Sequence, residues 1–172
     1  MAGLLLRTER LLLRPWRVAE AAVQRELWLE RDPRVPPHRR VDDSGHPSVQ
    51  DLEQWIRDHP PTATLGLLAV EPVVGNDVVG YCGLVDSGSA SRGEPELAFE
   101  LLRRARGRGY ATKAAQAVVT WAASSGSTSL RATVWDWNTA SRRLLAKLGF
   151  GETGEVERDE RHGDSLLLRK RL

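Results

Sequence analysis

The segment at residues 96–112 constrains the fold of this chain more than any other stretch. It reads Glu-Leu-Ala-Phe-Glu-Leu-Leu-Arg-Arg-Ala-Arg-Gly-Arg-Gly-Tyr-Ala-Thr. Its first part has the composition of a short β-strand, and from Tyr110 the small apolar residues recur with helical spacing. Between them lie Gly107 and Gly109, which permit unusual dihedral angles and a close approach of the backbone to a ligand. The segment therefore predicts a strand, a basic glycine turn and a helix in immediate succession.

The start of the predicted helix is a candidate anion site. Its first amides have no acceptor within the helix, and the helix dipole is positive at this end. Arg104, Arg106 and Arg108 add charge and donors suited to phosphate. The Gly-x4-Gly-Lys-Ser/Thr spacing of a P-loop is missing, as are the third glycine and the acidic residue of a dinucleotide fingerprint. The segment thus predicts a phosphorylated ligand without matching either common nucleotide motif.

Length and composition set the bounds of the interpretation. The chain has 172 residues, which suits one domain spanning residues 1–172. A formal net charge of +2 is slight and gives no reason to expect nucleic acid as a partner. Cys82 is the only cysteine, so the sequence predicts neither an internal disulfide nor a cysteine metal cluster. Its aliphatic setting predicts a packed thiol rather than a nucleophile.

The ends and apolar runs of the chain predict a cytoplasmic protein. The first ten residues are too short and too charged for a signal peptide, and no apolar run reaches membrane-spanning length. The many arginines and alanines are typical of a GC-rich bacterial genome.

Hydrophobic periodicity predicts a mixed α/β domain with six to seven strands and four helices. Strands are expected at residues 4–14, 64–71, 78–84, 96–102 and 129–135, with two antiparallel strands in residues 150–172. Helices are expected at residues 18–30, 49–58, 110–126 and 138–149, and Ser48 and Asn138 are candidate N-caps. A turn at residues 75–77 predicts a hairpin. Residues 87–94 are expected to form a flexible Gly/Ser connector.

Three segments together resemble one known family. Arg104-x-x-Gly107-x-Gly109 matches in full the Arg/Gln-x-x-Gly-x-Gly/Ala signature for acyl-CoA in the GNAT superfamily of N-acetyltransferases. Residues 138–150 resemble the Asn-x-x-Ser…Lys-x-Gly-Phe run of the ribosomal-protein N-terminal acetyltransferase branch. Residues 8–15 resemble the first strand of that branch. The order and separation of the three segments extend the resemblance over nearly the whole chain.

The resemblance implies a twisted, mostly antiparallel sheet that splays in the middle and holds acetyl-CoA in the opening. A backbone amide at Leu101 or Leu102 would polarise the thioester carbonyl. The implied acetyl-CoA contacts are Leu101, Leu102, Arg104, Arg106, Gly107, Arg108, Gly109, Tyr110, Ala111, Thr112, Asn138 and Ser141. No metal is expected, because the four histidines show no ligand spacing.

The resemblance also suggests catalytic groups. Many GNAT enzymes use a tyrosine as the acid at the position that Leu145 occupies here, so Ser141 becomes the candidate acid. Protonation by solvent, and a purely helix-capping role for Ser141, stay open. Glu160 is the first candidate for the base, with a solvated turn as the alternative. Glu96 competes, because other GNAT enzymes place a carboxylate on the strand before the glycine turn.

The implied activity is transfer of an acetyl group from acetyl-CoA to a primary amine by direct attack in a ternary complex. No cysteine occupies a motif position, which disfavours an acetyl-enzyme. The acceptor is a protein N-terminus or a small molecule such as an antibiotic, a polyamine or an amino-acid-like metabolite. A homodimer is compatible with this interpretation. Trp28 and Trp55 are expected to pack in the core, with acceptor contact as a secondary role.

Two other function classes compete with the enzyme. A non-catalytic acyl-CoA sensor would keep the glycine turn without a working acid and base. A nucleic-acid-binding module would use the arginines at residues 103–108, but the low net charge and the lack of interleaved aromatic residues disfavour it.

Overall fold

The computed structural model describes residues 4–88 and 93–172, and its eight strands form one sheet. The strand order is β1-β2-β3-β4-β5-β6-β8-β7. The strands are β1 (Leu6–Arg7), β2 (Leu11–Arg14), β3 (Gly66–Pro72), β4 (Gly80–Val85), β5 (Glu96–Leu101), β6 (Ser129–Trp135), β7 (Gly151–Glu157) and β8 (Ser165–Arg171). The α-helices are α1 (Ala21–Leu29), α2 (Val49–Asp58), α3 (Tyr110–Ser124) and α4 (Thr139–Lys147). Short 3-10 turns lie at Val18–Glu20, Pro37–Arg39 and Arg103–Ala105.

The mixed α/β class, the four helices and the mostly antiparallel sheet are confirmed, but the strand count is too low by at least one. The predicted strand at residues 4–14 is a hairpin of β1 and β2. Thr8 closes it: its hydroxyl accepts the amide of Leu11 at 2.9 Å, and its own amide donates to the Leu11 carbonyl at 2.9 Å. Part of the expected Gly/Ser connector, residues 89–92, lies outside the described residues.

The two faces of the sheet carry separate hydrophobic clusters. On one face, strand residues such as Leu97, Leu101 and Leu130 pack with α3 and with Leu145 of α4. On the other face, α1 and α2 cover a second cluster, whose buried members are Trp16, Ala21, Leu27, Leu52, Ile56, Ala69, Val78 and Leu102. Because side chains alternate along a strand, each central strand contributes to both clusters.

The centre of the sheet is the point that positions the site. Every strand pair is antiparallel except β5 and β6, which are parallel and pair at a single position, Glu96 with Arg131. The Arg131 amide donates to the Pro95 carbonyl there at 3.0 Å. Beyond this position, no further pair joins the two strands within the described residues, so their carboxyl ends border an opening. We call this opening the β5–β6 gap.

None of the helices in the described parts of the chain is long and apolar enough to span a membrane.

Candidate active site

The backbone of β5 presents hydrogen-bonding groups to the β5–β6 gap. The Leu102 amide donates to the Val79 carbonyl at 2.8 Å, on the β4 side. In an antiparallel ladder this direction alternates, so the groups of Phe99 and Leu101 point to the gap. The Leu101 carbonyl accepts from Arg106 Nε at 3.0 Å. Of the two amides predicted to act on a thioester, that of Leu101 faces the gap and that of Leu102 is already engaged.

The glycine turn, residues 103–109, follows β5 directly. Gly107 and Gly109 have φ angles of 73° and 77°, in the left-handed region that favours glycine. A Cβ atom at Gly107 would meet nothing within 4 Å, so the surface there is open. The first helical bond of α3 runs from the Lys113 amide to the Gly109 carbonyl at 3.1 Å. The three amides before it, at residues 110–112, therefore have no acceptor within the helix.

Contacts with α1 hold the first part of the glycine turn. The Arg103 backbone amide donates to Glu30 Oε2 at 2.7 Å, and Nη2 of the Arg103 side chain donates to the Glu30 carbonyl at 2.9 Å. The Arg104 guanidinium lies 3.5 Å from Glu26, and both side chains are about half exposed. Arg104, the first residue of the glycine signature, is thus directed toward α1 in this structure.

Arg10, which was not predicted from the sequence, holds the second part of the glycine turn. It lies between β1 and β2, and its Nη1 donates to the Arg108 carbonyl at 3.0 Å. Its guanidinium also lies 4.8 Å from the centroid of the Tyr110 ring. Arg10 and Arg108 are 98 residues apart in sequence, so no local sequence pattern could have predicted their contact.

The start of α4 lies at the same edge of the sheet, because β5 and β6 run parallel. Asn138 Oδ1 accepts the Ser141 amide at 3.2 Å, which confirms Asn138 as the N-cap. The half-buried Ser141 hydroxyl has no hydrogen-bond partner in the part of the chain that the structure describes. Leu145, at the position of the family tyrosine, is only 2% exposed and packs in the core.

The two predicted carboxylates occupy different places. Glu96 lies where β5 and β6 are joined, five residues before Leu101, or about 16 Å along a strand. The structure therefore does not bring Glu96 to the open end of the gap. Glu160 is exposed on the turn between β7 and β8. In the same turn, His162 Nδ1 lies 3.1 Å from the Arg34 carbonyl oxygen.

Glu100, a third carboxylate, is not among the residues predicted from the sequence. It directly precedes Leu101, and its side chain is 17% exposed. Arg31 donates to both of its oxygens, and the Tyr81 hydroxyl donates to Oε2 at 3.1 Å. Burial raises the pKa of Tyr81, and the charge of Glu100 raises it further. In the sequence, Glu100 stands out only as a charged residue among the apolar residues at the end of the predicted strand.

The loop between α1 and α2 reaches the end of β6 through stacked side chains. The guanidinium of Arg34 lies 4.1 Å from the Trp137 ring centroid, and that of Arg39 lies 5.1 Å from the Trp135 ring centroid. The two indole rings stack at 5.3 Å and 6°. We call these four residues the Arg–Trp stack. The Trp137 Nε1 group anchors it by donating to the His162 carbonyl at 2.7 Å.

Residues 10–151 match the model of the family described as the acetyltransferase (GNAT) domain. The chain belongs to the GNAT acetyltransferase family. This N-acetyltransferase is 28% identical over 168 residues to N-acetyltransferase p20 of Bacillus licheniformis, itself uncharacterized, with 93% of this chain and 89% of that protein covered.

Solved structures agree with this GNAT fold. A GNAT-family acetyltransferase from Bacillus anthracis superposes with a TM-score of 0.79 at 19% identity, covering 98% of both chains. A proposed ribosomal-protein-serine acetyltransferase from Vibrio cholerae superposes with a TM-score of 0.74 at 18% identity, covering 100% of both chains. At these identities the likeness shows the fold alone.

Two further features concern the chemistry of this GNAT protein. Cys82 is 1% exposed, and burial raises the pKa of its thiol, so the thiol stays protonated at neutral pH. Across residues 4–88 and 93–172, no three His, Cys, Asp or Glu side chains are grouped as metal ligands.

Proposed function

We propose that the protein transfers an acetyl group from acetyl-CoA to a primary amine by direct attack in a ternary complex. The observation that carries this proposal is the β5–β6 gap, which opens toward the Leu101 amide with the glycine turn at its end. The β5–β6 gap is lined by backbone hydrogen-bonding groups and has a candidate anion site at one end. Such a gap suits an extended ligand that carries phosphate at one end.

The glycine turn fits the pyrophosphate of such a ligand. The backbone amides at residues 107–111 and the positive end of α3 supply donors and a favourable potential, whereas the Arg106 amide, also expected to contribute, already donates to the Arg103 carbonyl at 3.2 Å. Arg106 and Arg108 are exposed, and the space above Gly107 is open. Two charged phosphates could therefore approach the backbone at this point without displacing a side chain.

The residues around the open end of the gap can be given roles in the transfer. Acetyl-CoA supplies a thioester, whose carbonyl carbon is the electrophile for an amine. The Leu101 amide would donate to the carbonyl oxygen, where negative charge develops. The Ser141 hydroxyl would donate a proton to the departing sulfur. Neither the Leu101 amide nor the Ser141 hydroxyl has another hydrogen-bond partner among the described side chains and loop contacts.

The acceptor amine must lose a proton before it attacks. We propose Glu160 as the base, because its turn contacts the loop between α1 and α2 at the open end of the gap. Glu96 is less well supported, because it lies at the closed end. Glu100 is less well supported too, because both of its oxygens already accept hydrogen bonds from Arg31 and one also accepts from the Tyr81 hydroxyl. The preferred acceptor remains a protein N-terminus, on the resemblance of residues 8–15 and 138–150.

Acetyl transfer can be tested by following thiol release from acetyl-CoA with peptides, polyamines and amino acids as acceptors, together with the mass of each acceptor. The proposal predicts release only when an acceptor is present and an acetyl group on its amine. It also predicts that acetyl-CoA alone leaves no acetyl group on the protein. A stable acetyl-protein, or binding of acetyl-CoA without transfer to any acceptor, would contradict the proposal.

A further inference from the structure

We propose that the acceptor carries a carboxylate near its amine and that Arg39 binds this carboxylate. This inference rests on the proposed function, since it assigns the acceptor class of the same site. It would exclude polyamines and favour acidic peptide N-termini or amino-acid-like acceptors.

The position of Arg39 comes from the path of the loop between α1 and α2. At its start, Arg31 is bound to Glu100 of β5. Further on, Arg39 lies over Trp135, the last residue of β6. The Arg31 Nη1 group donates to the Arg39 carbonyl at 2.8 Å, which ties the two points together. The loop therefore spans the open end of the β5–β6 gap.

The loop lies on the face of the sheet opposite α3. Leu101 and Val134 are buried in the cluster beneath α3. By strand alternation, their neighbours Glu100 and Trp135 point to the other face. Acetyl-CoA phosphates would bind at the start of α3, so an acceptor has room on the loop side.

Charge balance leaves two loop arginines, Arg39 and Arg40, without a carboxylate partner in the part of the chain that the structure describes, and the contact with Trp135 at the end of β6 distinguishes Arg39 from Arg40. Arg31 is neutralised by Glu100, and Arg34 is neutralised by Asp32, whose oxygens accept from Arg34 Nε and Nη2 at 2.9 and 2.8 Å. The Arg34 guanidinium holds the pKa of Asp32 at about 2, consistent with a formed ion pair. Arg39 is exposed and has no carboxylate partner within the described ranges 4–88 and 93–172.

The surroundings of Arg39 suit recognition of a carboxylate. The cation–π contact with Trp135 holds the guanidinium, whose N–H donors have no hydrogen-bond partner within the described residues, and a guanidinium with free donors can bind a carboxylate through two parallel hydrogen bonds. Burial raises the pKa of Tyr81, and the positive charge of Arg39 opposes that rise, which agrees with a position of Arg39 near the Glu100 side of the gap. An unpaired positive charge there attracts an anionic acceptor and repels a polyamine.

Matched acceptors that differ by one carboxylate test this inference. We would compare peptides beginning Ser-Asp and Ser-Asn, an amino acid and its amide, and spermidine, measuring kcat/KM from thiol release. Wild-type protein should prefer the carboxylate member of a pair by about tenfold or more, the size of one charge-assisted hydrogen-bonded pair. The peptide and amino-acid pairs distinguish an acidic N-terminus from a small metabolite.

Variants then assign the preference to Arg39. Arg39→Gln should reduce the ratio of kcat/KM for the acidic and the neutral acceptor to near one, mainly by raising KM of the acidic acceptor. Arg39→Lys should keep part of the preference. Arg34→Gln is the matched control, because Arg34 is also stacked on a tryptophan but has Asp32 as its partner. The control should retain the wild-type preference.

Two results would overturn the inference: equal or better use of neutral acceptors or spermidine by wild-type protein, or an unchanged preference in Arg39→Gln. Transfer to spermidine alone would leave the proposed function standing and reject only the carboxylate. Binding of acetyl-CoA without transfer to any acceptor would contradict the proposed function and this inference with it.

Discussion

Ser141 stands in the first turn of α4, where its amide is bound but its hydroxyl is not. The sequence left two roles open for this residue, an acid for the leaving sulfur or a hydroxyl that supports the helix cap. In the structure Asn138 caps the helix, accepting the Ser141 amide at 3.2 Å. The cap therefore does not need the Ser141 hydroxyl, which favours the role in proton transfer.

Substitution of Ser141 tests that role. Ser141→Ala should lower kcat about 100-fold, at the lower end of the range for general acid catalysis, with little change in acetyl-CoA affinity or melting temperature. Steady-state kinetics with an accepted amine measures the first effect and calorimetry the second. Thr139→Ala, at the exposed first residue of the same helix, is the matched control and should keep wild-type turnover. Unchanged kcat in Ser141→Ala would leave protonation to solvent.

Among the secondary-structure elements, the pair of β2 and β3 depends on the buried charge of Arg14. Arg14 at the end of β2 is 6% exposed. Its guanidinium lies 2.6 Å from both Glu71 of β3 and Glu20 of the 3-10 turn before α1. Burial alone would raise the pKa of Glu20, but its bond to Arg14 holds the pKa below the ordinary value. This triad joins the sheet to the start of α1.

Removal of the shared cation should destabilise the protein strongly. Arg14→Leu leaves two largely buried carboxylates without a partner, so the free energy of unfolding should fall by about 3–5 kcal/mol. Arg17→Leu is the matched control, because Arg17 is 69% exposed and lies 3.9 Å from Glu20. It should cost less than about 1 kcal/mol. Equal losses in urea unfolding of the two variants would contradict the importance of the triad.

The start of α2 predicts a dependence of stability on pH. The backbone amide of Ser48 and the His46 ring hold the pKa of Asp51 at about 2, below its ordinary value of 3.8. The ionised carboxylate therefore stabilises the folded state above about pH 4, and this contribution is lost as the pH falls toward 2. Asp51 in turn raises the pKa of His46, so the His46 contribution is complete below pH 6.5 and is lost as the pH rises through the raised value.

Thermal unfolding as a function of pH tests this contribution of Asp51 to stability. Asp51→Asn should melt below wild type at pH 6, and the difference should shrink steadily from pH 4 to pH 2. Asp58→Asn, at the other end of α2, is the control and should show no such convergence with wild type. A constant gap between Asp51→Asn and wild type down to pH 2 would mean that the Asp51 carboxylate does not act through its charge.

For the molecule as a whole, locally encoded elements could be predicted and contacts between distant elements could not. The bounds of α2 and β6 match the predicted residues, because Ser48 caps the helix and turn residues flank the strand. The β1–β2 hairpin escaped prediction because both of its strands are aliphatic, and a threonine rather than a glycine closes it.

The local structure of the candidate site could be predicted on one side of the gap only. The glycine turn carries its own signature, since a short run of glycines and arginines before a helix has a direct physical meaning. The acceptor side depends on pairs such as Arg31 with Glu100, which are 69 residues apart, and Arg39 with Trp135. The sequence pointed to Glu96 and not to Glu100, because deciding between them requires knowing which end of β5 is open, and that follows from the register of β5 with β6.

The central claim is that acetyl-CoA binds with its pyrophosphate on the glycine turn. Gly107→Glu places a carboxylate at this point, where like charge would repel the phosphates. Gly126→Glu is the matched control at the other end of α3. Its φ of 91° and open surroundings resemble those of Gly107, so both variants should carry similar backbone strain.

Calorimetric titration of the three proteins with acetyl-CoA is the measurement that tests this claim most directly. We predict one binding site in wild-type protein and in Gly126→Glu, and an affinity at least roughly 100-fold weaker in Gly107→Glu, whose fold should be intact by circular dichroism. Absence of binding in wild-type protein, or equal affinity in Gly107→Glu, would contradict the account.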